Sequence, residues 1–418
     1  MAPNRPVVLV TACAVLGGIL SLGGCKFFGA AKSPKIKWQF STDDRIVSTP
    51  ALAPDGTVYV TSIRLLYALT PDGQMKWKYF PGEEIHTSPV VGPDGTIYVM
   101  DVLCALHALN PDGTKRWSVE VGNFFPQPPQ TESTCVWPST PAFSREGVLL
   151  VGTGAGFAFA LDPNSGATKK QIAPVSAAGS PEVSHTQSAD SPKMSDGDLA
   201  VEGGGALQLF NAAGNVLWTV NLTRGGSTVS FRGPAIASDG RIVVSGWNDK
   251  LHAYDFQGQP QWELQGQWVG DPVIASDGTI YVGDTEGVVA LRENGTPLWR
   301  VPVTRAGSLT LADDGTIYIP GQVLGRDQDG RFMFNLRALD KKGASKWTLG
   351  VDGQIEGGAA VAPDGTIYFG TNLTINPGPK PYLGILYAVA DKNGGLMRAG
   401  WPKSFGSTTN DGRAPSGP

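Results

Sequence analysis

The chain has 418 residues, 33 basic and 37 acidic, for a formal net charge of −4 at pH 7. That mildly acidic balance, without a basic run, excludes the electrostatic footprint of a nucleic-acid binder. Length alone suggests two or three domains, but an internal repeat overrides that prior.

Residues 1–24 read as a targeting segment. Arg5 supplies the positive end, residues 7–22 are apolar, and Leu22-Gly-Gly-Cys25 closes it with small residues before a cysteine. The pattern is similar to a bacterial lipobox, in which Cys25 is acylated and becomes the mature N-terminus. An ordinary secretory signal and an uncleaved apolar anchor are the alternatives. About sixteen apolar residues, interrupted by Gly17 and Gly18, are short for a membrane span. A rival match, Val10-Thr-Ala-Cys13, leaves about five apolar residues against the usual 7–15, so Cys25 is favoured. Lys26, where an Asp resembles an inner-membrane retention signal, favours the outer membrane. Arg5 is the one charged residue of residues 1–24, so their removal leaves 32 basic against 37 acidic groups, a net of −5. Residues 25–37 are a short tether reaching at most ~40 Å.

From Trp38 the chain repeats itself. Residues 38–77 and 77–117 match in order, turn chemistry and length. A period of roughly forty residues, with short apolar runs between turn signals, denotes stacked supersecondary units. Within one copy four strands are predicted: Ser48 to Leu52, Thr57 to Val60, Leu65 to Leu69, and Lys76 to Phe80. The first and second, and the third and fourth, are joined by Pro-Asp-Gly. Pro presets φ, Asp bonds its own backbone, and Gly takes the left-handed position that closes a hairpin. The first-hairpin turn recurs at Asp55-Gly56, Asp94-Gly95, Glu146-Gly147, Asp196-Gly197, Asp239-Gly240, Asp277-Gly278, Asp314-Gly315 and Asp364-Gly365. A second series, from Asp72-Gly73 to Gly394, keeps the same count, and only the third copy, near Lys170, lacks a closing Trp. The expectation is an all-β, eight-bladed β-propeller of four-stranded antiparallel blades over residues 38–405, with residues 406–418 a mobile tail. An open solenoid is the alternative. Trp38-Gln-Phe40 and Trp401 to Phe405 both look like outer strands, and one suffices to close a ring.

In an up-down meander all the Asp-Gly turns share one face, which is therefore plain. The long connections, Ser118–Ser139, Ile172–Ser191, Gly321–Phe334 and Thr371–Leu383, emerge on the other. Insertions confined to one face mark the binding side. Phe124, Phe125, Trp137, Trp247, Trp268, Arg326, Phe332 and Tyr382 fall there outside the repeat pattern and form the expected binding face for a protein or a glycan. Plugging the channel mouth is the competing role for each. Cys104 and Cys135 lie on that face in adjacent blades. Export permits a disulfide between them; two buried thiols are the alternative.

Ala108-Leu-Asn-Pro-Asp-Gly-Thr-Lys-Arg-Trp117 resembles the tryptophan-docking motif of pyrroloquinoline-quinone-like propeller repeats. Ala68 to Trp77 and Ala338 to Trp347 match it too, as does Ser-x-Pro before the first hairpin. The resemblance implies that Trp38, Trp77, Trp117, Trp218, Trp262, Trp299, Trp347 and Trp401 pack between neighbouring blades. Two kinds of relative share such a scaffold: quinone-dependent dehydrogenases, and cofactor-free lipoproteins such as the propeller subunit of the outer-membrane β-barrel assembly machinery. The dehydrogenases use a disulfide between adjacent cysteines, calcium held by Glu, Asn and Asp, and a catalytic Asp. This chain has no adjacent cysteines, and none of those ligands can be placed in it.

Chemical motifs fare no better. His86, His107, His185 and His252 are scattered, and H-E-x-x-H, paired CxxC and G-x-S-x-G are absent. Gly152-Thr-Gly-Ala-Gly156 has no helix pattern after it, and Asp327-Gln-Asp-Gly330 lacks the remaining ligands of a calcium loop. The sequence therefore predicts no catalytic residues, metal or cofactor. It predicts a lipid-anchored protein of the bacterial cell envelope, outer membrane favoured, that acts as a scaffold for envelope proteins. Envelope polysaccharide is the second partner class, and a quinone-dependent dehydrogenase the third reading. Replacing the lipid cysteine, Cys25→Ser, is expected to abolish metabolic labelling with palmitate and release the protein from membranes, whereas Cys13→Ser leaves both unchanged.

Overall fold

The first hairpin shows why the chain turns where it does. Asp55 Oδ1 accepts from the Thr57 backbone amide at 2.9 Å, and Gly56, at φ 82°, donates to the Ala53 carbonyl at 2.9 Å. Only glycine tolerates that backbone without strain. The strands after such turns are apolar on both sides: Val58–Thr61 and Leu66–Leu69 are buried throughout, whereas Met75–Tyr79 is partly exposed.

The computed structural model describes residues 33–121, 140–143, 147–152, 158–172, 184–185, 199–203, 206–210, 215–221, 234–246, 250–268, 270–304, 306–326, 332–374, 382–397 and 403. Their strands form eight four-stranded antiparallel sheets. The first is Ala51–Leu52, Val58–Thr61, Leu66–Leu69 and Met75–Tyr79, in that order from axis to rim. Consecutive sheets share cores, and the last such core joins Ile46, Val58 and Tyr67 of the first sheet to Tyr368, Leu386 and Ala388 of the eighth. The fold is a closed β-propeller of four-stranded blades.

Seven sheets follow the expected blade order; the expectation of eight equal blades is corrected at the fourth. There Ser184–His185 pairs with the outer strand Val216–Asn221, giving the order Ser184–His185, Val216–Asn221, Ala206–Phe210, Leu199–Gly203. The inner strands of the other sheets are two-residue pairs such as Ala51-Leu52, Val90-Val91 or Ala360-Val361; in the fourth copy the residues before Asp196-Gly197 lie outside the described residues.

Ring closure is settled by the N-terminus. Lys35–Thr42 pairs antiparallel with Tyr382–Ala390 as the outer strand of the eighth blade, Trp38 opposite Ala388. Of the two segments that look like outer strands, it is the N-terminal one that takes this place. Trp401 lies outside the described residues, and Lys403 bridges Thr310 on the innermost strand of the seventh blade.

Tryptophans stitch blade to blade. Trp38 donates its indole N–H to the Pro71 carbonyl at 2.8 Å, Trp77 to Pro111 at 2.9 Å, Trp117 to Pro163 at 3.2 Å, and Trp218 to Phe256 at 2.8 Å. Trp262 and Trp299 reach Glu293 and Lys341 likewise. Each ring lies over the turn glycine: a Cβ on Gly73 would be 2.7 Å from Trp38, and one on Gly113 2.6 Å from Trp77. Where the third blade lacks Trp, Lys170 reaches Asn215 of the fourth at 2.9 Å. Near the axis Ser-x-Pro supplies a second belt. The Gly358 amide donates to Thr49 Oγ1, the Thr49 amide to Ser88 Oγ, and the Ser88 amide to Thr140 Oγ1.

The closing seam is tight. A Cβ on Gly357 would lie 2.3 Å from the Ser48 carbonyl oxygen and 2.8 Å from the Thr49 amide nitrogen, backbone atoms that cannot swing aside. Gly357→Ala is expected to lower stability by about 2 kcal/mol, as overpacking does. Gly350→Ala, which meets nothing within 4 Å, should stay within about 0.5 kcal/mol of wild type. Chemical denaturation of both variants checks the pair.

Candidate functional site: the loop-bearing face

On the Asp-Gly face several charges are paired with neighbours. Lys76 donates to Thr57 Oγ1 at 2.9 Å beside Asp55, Arg116 to Asp94 at 2.7 Å, and Lys37 to Thr366 Oγ1 at 2.9 Å beside Asp364. Lys346 pairs with Asp314 in the same way. Burial pushes the Asp94 carboxyl up, but the Arg116 guanidinium and the Thr96 bonds outweigh it and its pKa is lowered. Exposed pairs of this kind add little stability. Their effect is to leave this face short-looped and locally neutral.

The opposite face is the one to which the meander assigns the long connections. Residues 122–139, 173–183 and 186–198, with Phe124, Phe125, Cys135 and Trp137, lie outside the described residues, as does Trp247. Two of the expected loops are instead continuations of strands. Ile317–Arg326 pairs with Phe332–Leu339, and Thr366–Thr374 with Tyr382–Ala390, so two hairpins of the seventh and eighth blades project on this side. Arg326 is opposite Phe332 at the last pair of one, Thr374 opposite Tyr382 at the last pair of the other.

The first and eighth blades meet here in a polar seam. The Arg45 guanidinium lies over the Tyr382 ring, 4.5 Å from its centroid, a cation–π contact. Arg45 Nε has no hydrogen-bond partner although buried, and the Asp44 carboxylate is 3.9 Å away. Beside it Tyr67 donates its hydroxyl to Asp43, and the Ser62 hydroxyl reaches the same carboxylate at 3.4 Å. Burial and then Asp43 push the Tyr67 pKa up. Tyr382 stays 40 % exposed, and Phe80 and Leu103, 55 % and 51 % exposed, end a rim strand and fill a corner of blades one and two on this face. Phe80 and Leu103 were not singled out from sequence, because one falls on a predicted strand and the other on a short connection.

Trp268 is the correction among the expected binding residues. It is buried in the core of blades four to six, its indole N–H donating to the Leu264 carbonyl at 3.2 Å. It walls a rim groove of about 260 Å³ whose outer side is Leu298 and Arg300. The wider ring stands where Ile85 stands in the second blade: both bridge the end of a second strand, at Asp284 and Asp101.

Cys104 is disulfide-bonded, buried, and held at φ 62°. Its carbonyl accepts the Val121 amide at 2.8 Å, so it ties down the point where the chain departs for residues 122–139. The buried titratable groups serve packing. His107 Nε2 is 3.2 Å from Asp101, whose other oxygen accepts the Leu103 and Ala105 amides, and Tyr79 caps His107 Nδ1 at 3.1 Å. His252 occupies the same repeat position in the fifth blade, stacked on Tyr254. Among the described residues no three His, Cys, Asp or Glu side chains are grouped to hold a metal.

A ring of four-stranded antiparallel blades, wedged by tryptophans over turn glycines, defines the quinoprotein-like class of propeller. Residues 30–206 and 203–334 match the family described as outer membrane protein assembly factor BamB, and the chain belongs to that family. In fold it is similar to BamB from Moraxella catarrhalis, with a TM-score of 0.59 and 16 % identity over 85 % of this chain and 99 % of that one. A europium-containing methanol dehydrogenase scores 0.59 at 12 % identity over 85 % and 93 %. Sqt1 of Saccharomyces cerevisiae scores 0.61 at 10 % over 86 % and 100 %. At such identities the likeness speaks for the fold alone. Comparison with curated protein sequences finds no match. No two cysteines of the chain are adjacent.

Burial lowers the His252 pKa from the ordinary 6.5. The unfolded chain therefore takes up a proton before the folded one does. The resulting loss of stability begins as pH falls below about 6.5 and grows until the lowered folded value is reached. His252→Tyr, which restores the repeat residue, is expected to reduce the fall in Tm between pH 7 and pH 5; an unchanged slope would contradict the burial account.

Proposed function

We propose that this chain is a non-enzymatic, lipid-anchored protein of the bacterial envelope whose propeller, an eight-bladed ring with an irregular fourth blade, is a scaffold for other envelope proteins. Membership of the BamB family supports the envelope setting. The observation that carries the binding role is the asymmetry of the ring. One face has short turns and internally paired charges; the other gathers the projecting hairpins and the exposed Phe80, Leu103 and Tyr382. Apolar and aromatic side chains beside an Arg are the residue types that dominate protein interfaces.

In this reading Arg326, Phe332 and Tyr382 are contact residues, joined by Phe124, Phe125, Trp137 and Trp247 of the connections. A Cys104–Cys135 bond staples the longest connection to the second blade. Acylated Cys25 holds the ring at a membrane, outer rather than inner. A photo-crosslinking residue placed at Leu103 or Tyr382 in intact cells is expected to give discrete protein adducts, while the same residue at Asp72 or Asp112 on the Asp-Gly face gives none. Equal adducts from both faces, or none from the loop face, would remove the scaffold reading.

A further inference from the structure

The turns that latch one blade to the next differ in chemistry. In the position before the turn glycine, blades one and two carry Asp72 and Asp112, blade five Gln257 and blade seven Lys342, whereas blade six carries Asn294. The chain holds two Asn-Gly steps, Asn294-Gly295 and Asn393-Gly394. A glycine after an asparagine leaves the next amide nitrogen unhindered, since no Cβ stands beside it. The fold treats the two steps in opposite ways. Asn393 is fully buried; its Nδ2 donates to the Tyr318 hydroxyl at 2.7 Å and the Gly365 carbonyl at 3.1 Å, and its Oδ1 accepts the Gly395 amide at 2.8 Å. Both ends of that side chain are fixed. Asn294 is exposed. Its Oδ1 accepts the Thr296 amide at 3.1 Å, which draws electrons from Cγ, while its Nδ2 has no hydrogen-bond partner among the described residues.

The Asn294 turn is also a junction. The Glu293 carbonyl accepts the Trp262 indole N–H at 3.0 Å and the Arg241 guanidinium at 2.7 Å, both from blade five. Gly295, at φ 79°, lies against the Trp262 ring: a Cβ there would be 2.8 Å from Trp262 Cδ2. The Gly295 amide donates to the Arg292 carbonyl at 2.9 Å and closes the turn. One more atom in this backbone has no space to occupy unless the ring moves or the turn opens.

We infer that Asn294 is a site of spontaneous covalent modification, with water as the reactant, and that one of its two products unlatches blade six from blade five. The Gly295 nitrogen gives its proton to solvent and attacks Asn294 Cγ. The side-chain nitrogen takes a proton back from solvent and leaves as ammonia, and a five-membered imide remains. Water then opens the ring. Cleavage of the bond from Cγ to the Gly295 nitrogen gives aspartate on an unchanged backbone, the residue type of Asp72 and Asp112. Cleavage of the bond from the Asn294 main-chain carbonyl to that nitrogen gives isoaspartate, whose backbone runs through Cβ and Cγ and is one methylene longer. Only this second form adds an atom beside Trp262. The Gly295 amide must first leave the Arg292 carbonyl, so the reaction is slower than in an unfolded peptide. Neither the scaffold reading nor the lipid anchor enters into this chemistry.

Ageing the full folded chain at pH 8, followed by peptide mass spectrometry, tests it. Asn294 should convert to the acid at least tenfold faster than Asn393, with isoaspartate among the products. The comparison chain is Asn294→Gln, which carries the residue of the fifth blade's turn and would need a six-membered ring to react. Relative to fresh samples, backbone hydrogen exchange in Pro260–Gln265 and Pro297–Pro302 should be at least threefold faster in the aged original chain and unchanged in aged Asn294→Gln. Equal conversion of Asn294 and Asn393, aspartate as the sole product, or an isoaspartate-bearing chain that exchanges like Asn294→Gln would each overturn the inference.

Discussion

The ring depends on a single repeated contact: an indole laid over a turn glycine, with its N–H on a carbonyl of the next blade's turn. Blade contact buries flat sheet faces, which slide easily because dispersion and burial are non-directional. The indole hydrogen bond removes that freedom by fixing the height and angle at which one blade meets the next. The turn glycine is part of the same device, since its left-handed backbone shapes the turn and its missing side chain leaves room for the ring. Where a blade lacks Trp the contact is met in another way, by Lys170 on Asn215. At the eighth blade Trp347 takes the Asp391 carboxylate in place of a turn carbonyl.

The functional asymmetry follows from the meander. Four strands running up and down must put both hairpin turns of every blade on one side, and that side evolves as a set of short, self-satisfied Asp-Gly turns. Length can be added on the other side without disturbing them. The seventh and eighth blades add it as prolonged strands that stay paired to their ends, a stiffer platform than loops. The plain side is further occupied by the C-terminal segment, which binds three blades together.

Much of the fold was readable because its signals are local. Pro-Asp-Gly and its variants act within four residues, and the Val and Ile runs beside them state which strands are covered on both faces. What escaped depends on partners distant in sequence. Nothing in the sequence around Lys403 marks it as a partner of Thr310 on the inner strand of the seventh blade. Gly321 to Phe334 is rich in Gly, Asp and Arg and reads as a loop, yet Val323 opposite Met333 keeps it paired. Trp268 was assigned to the surface because it breaks the repeat, whereas its burial follows from Gly266, whose missing side chain lets the ring fold inward. In the fourth sheet the pairing of Ser184–His185 with Val216–Asn221 carries no local sequence signal.

The strand that seals the ring, Lys35–Thr42, is also the first element of the propeller, and Ser33 just before it is held on Thr348 of the seventh blade's rim. Any pull on the preceding residues is thus delivered to the weld between the two ends of the chain, before it reaches any other blade. Seven cross-strand residue pairs, from Lys35 with Ala390 to Thr42 with Gly384, share that load. A ring loaded at this edge would have its mechanical strength set by one seam, whatever the stability of the remaining blades.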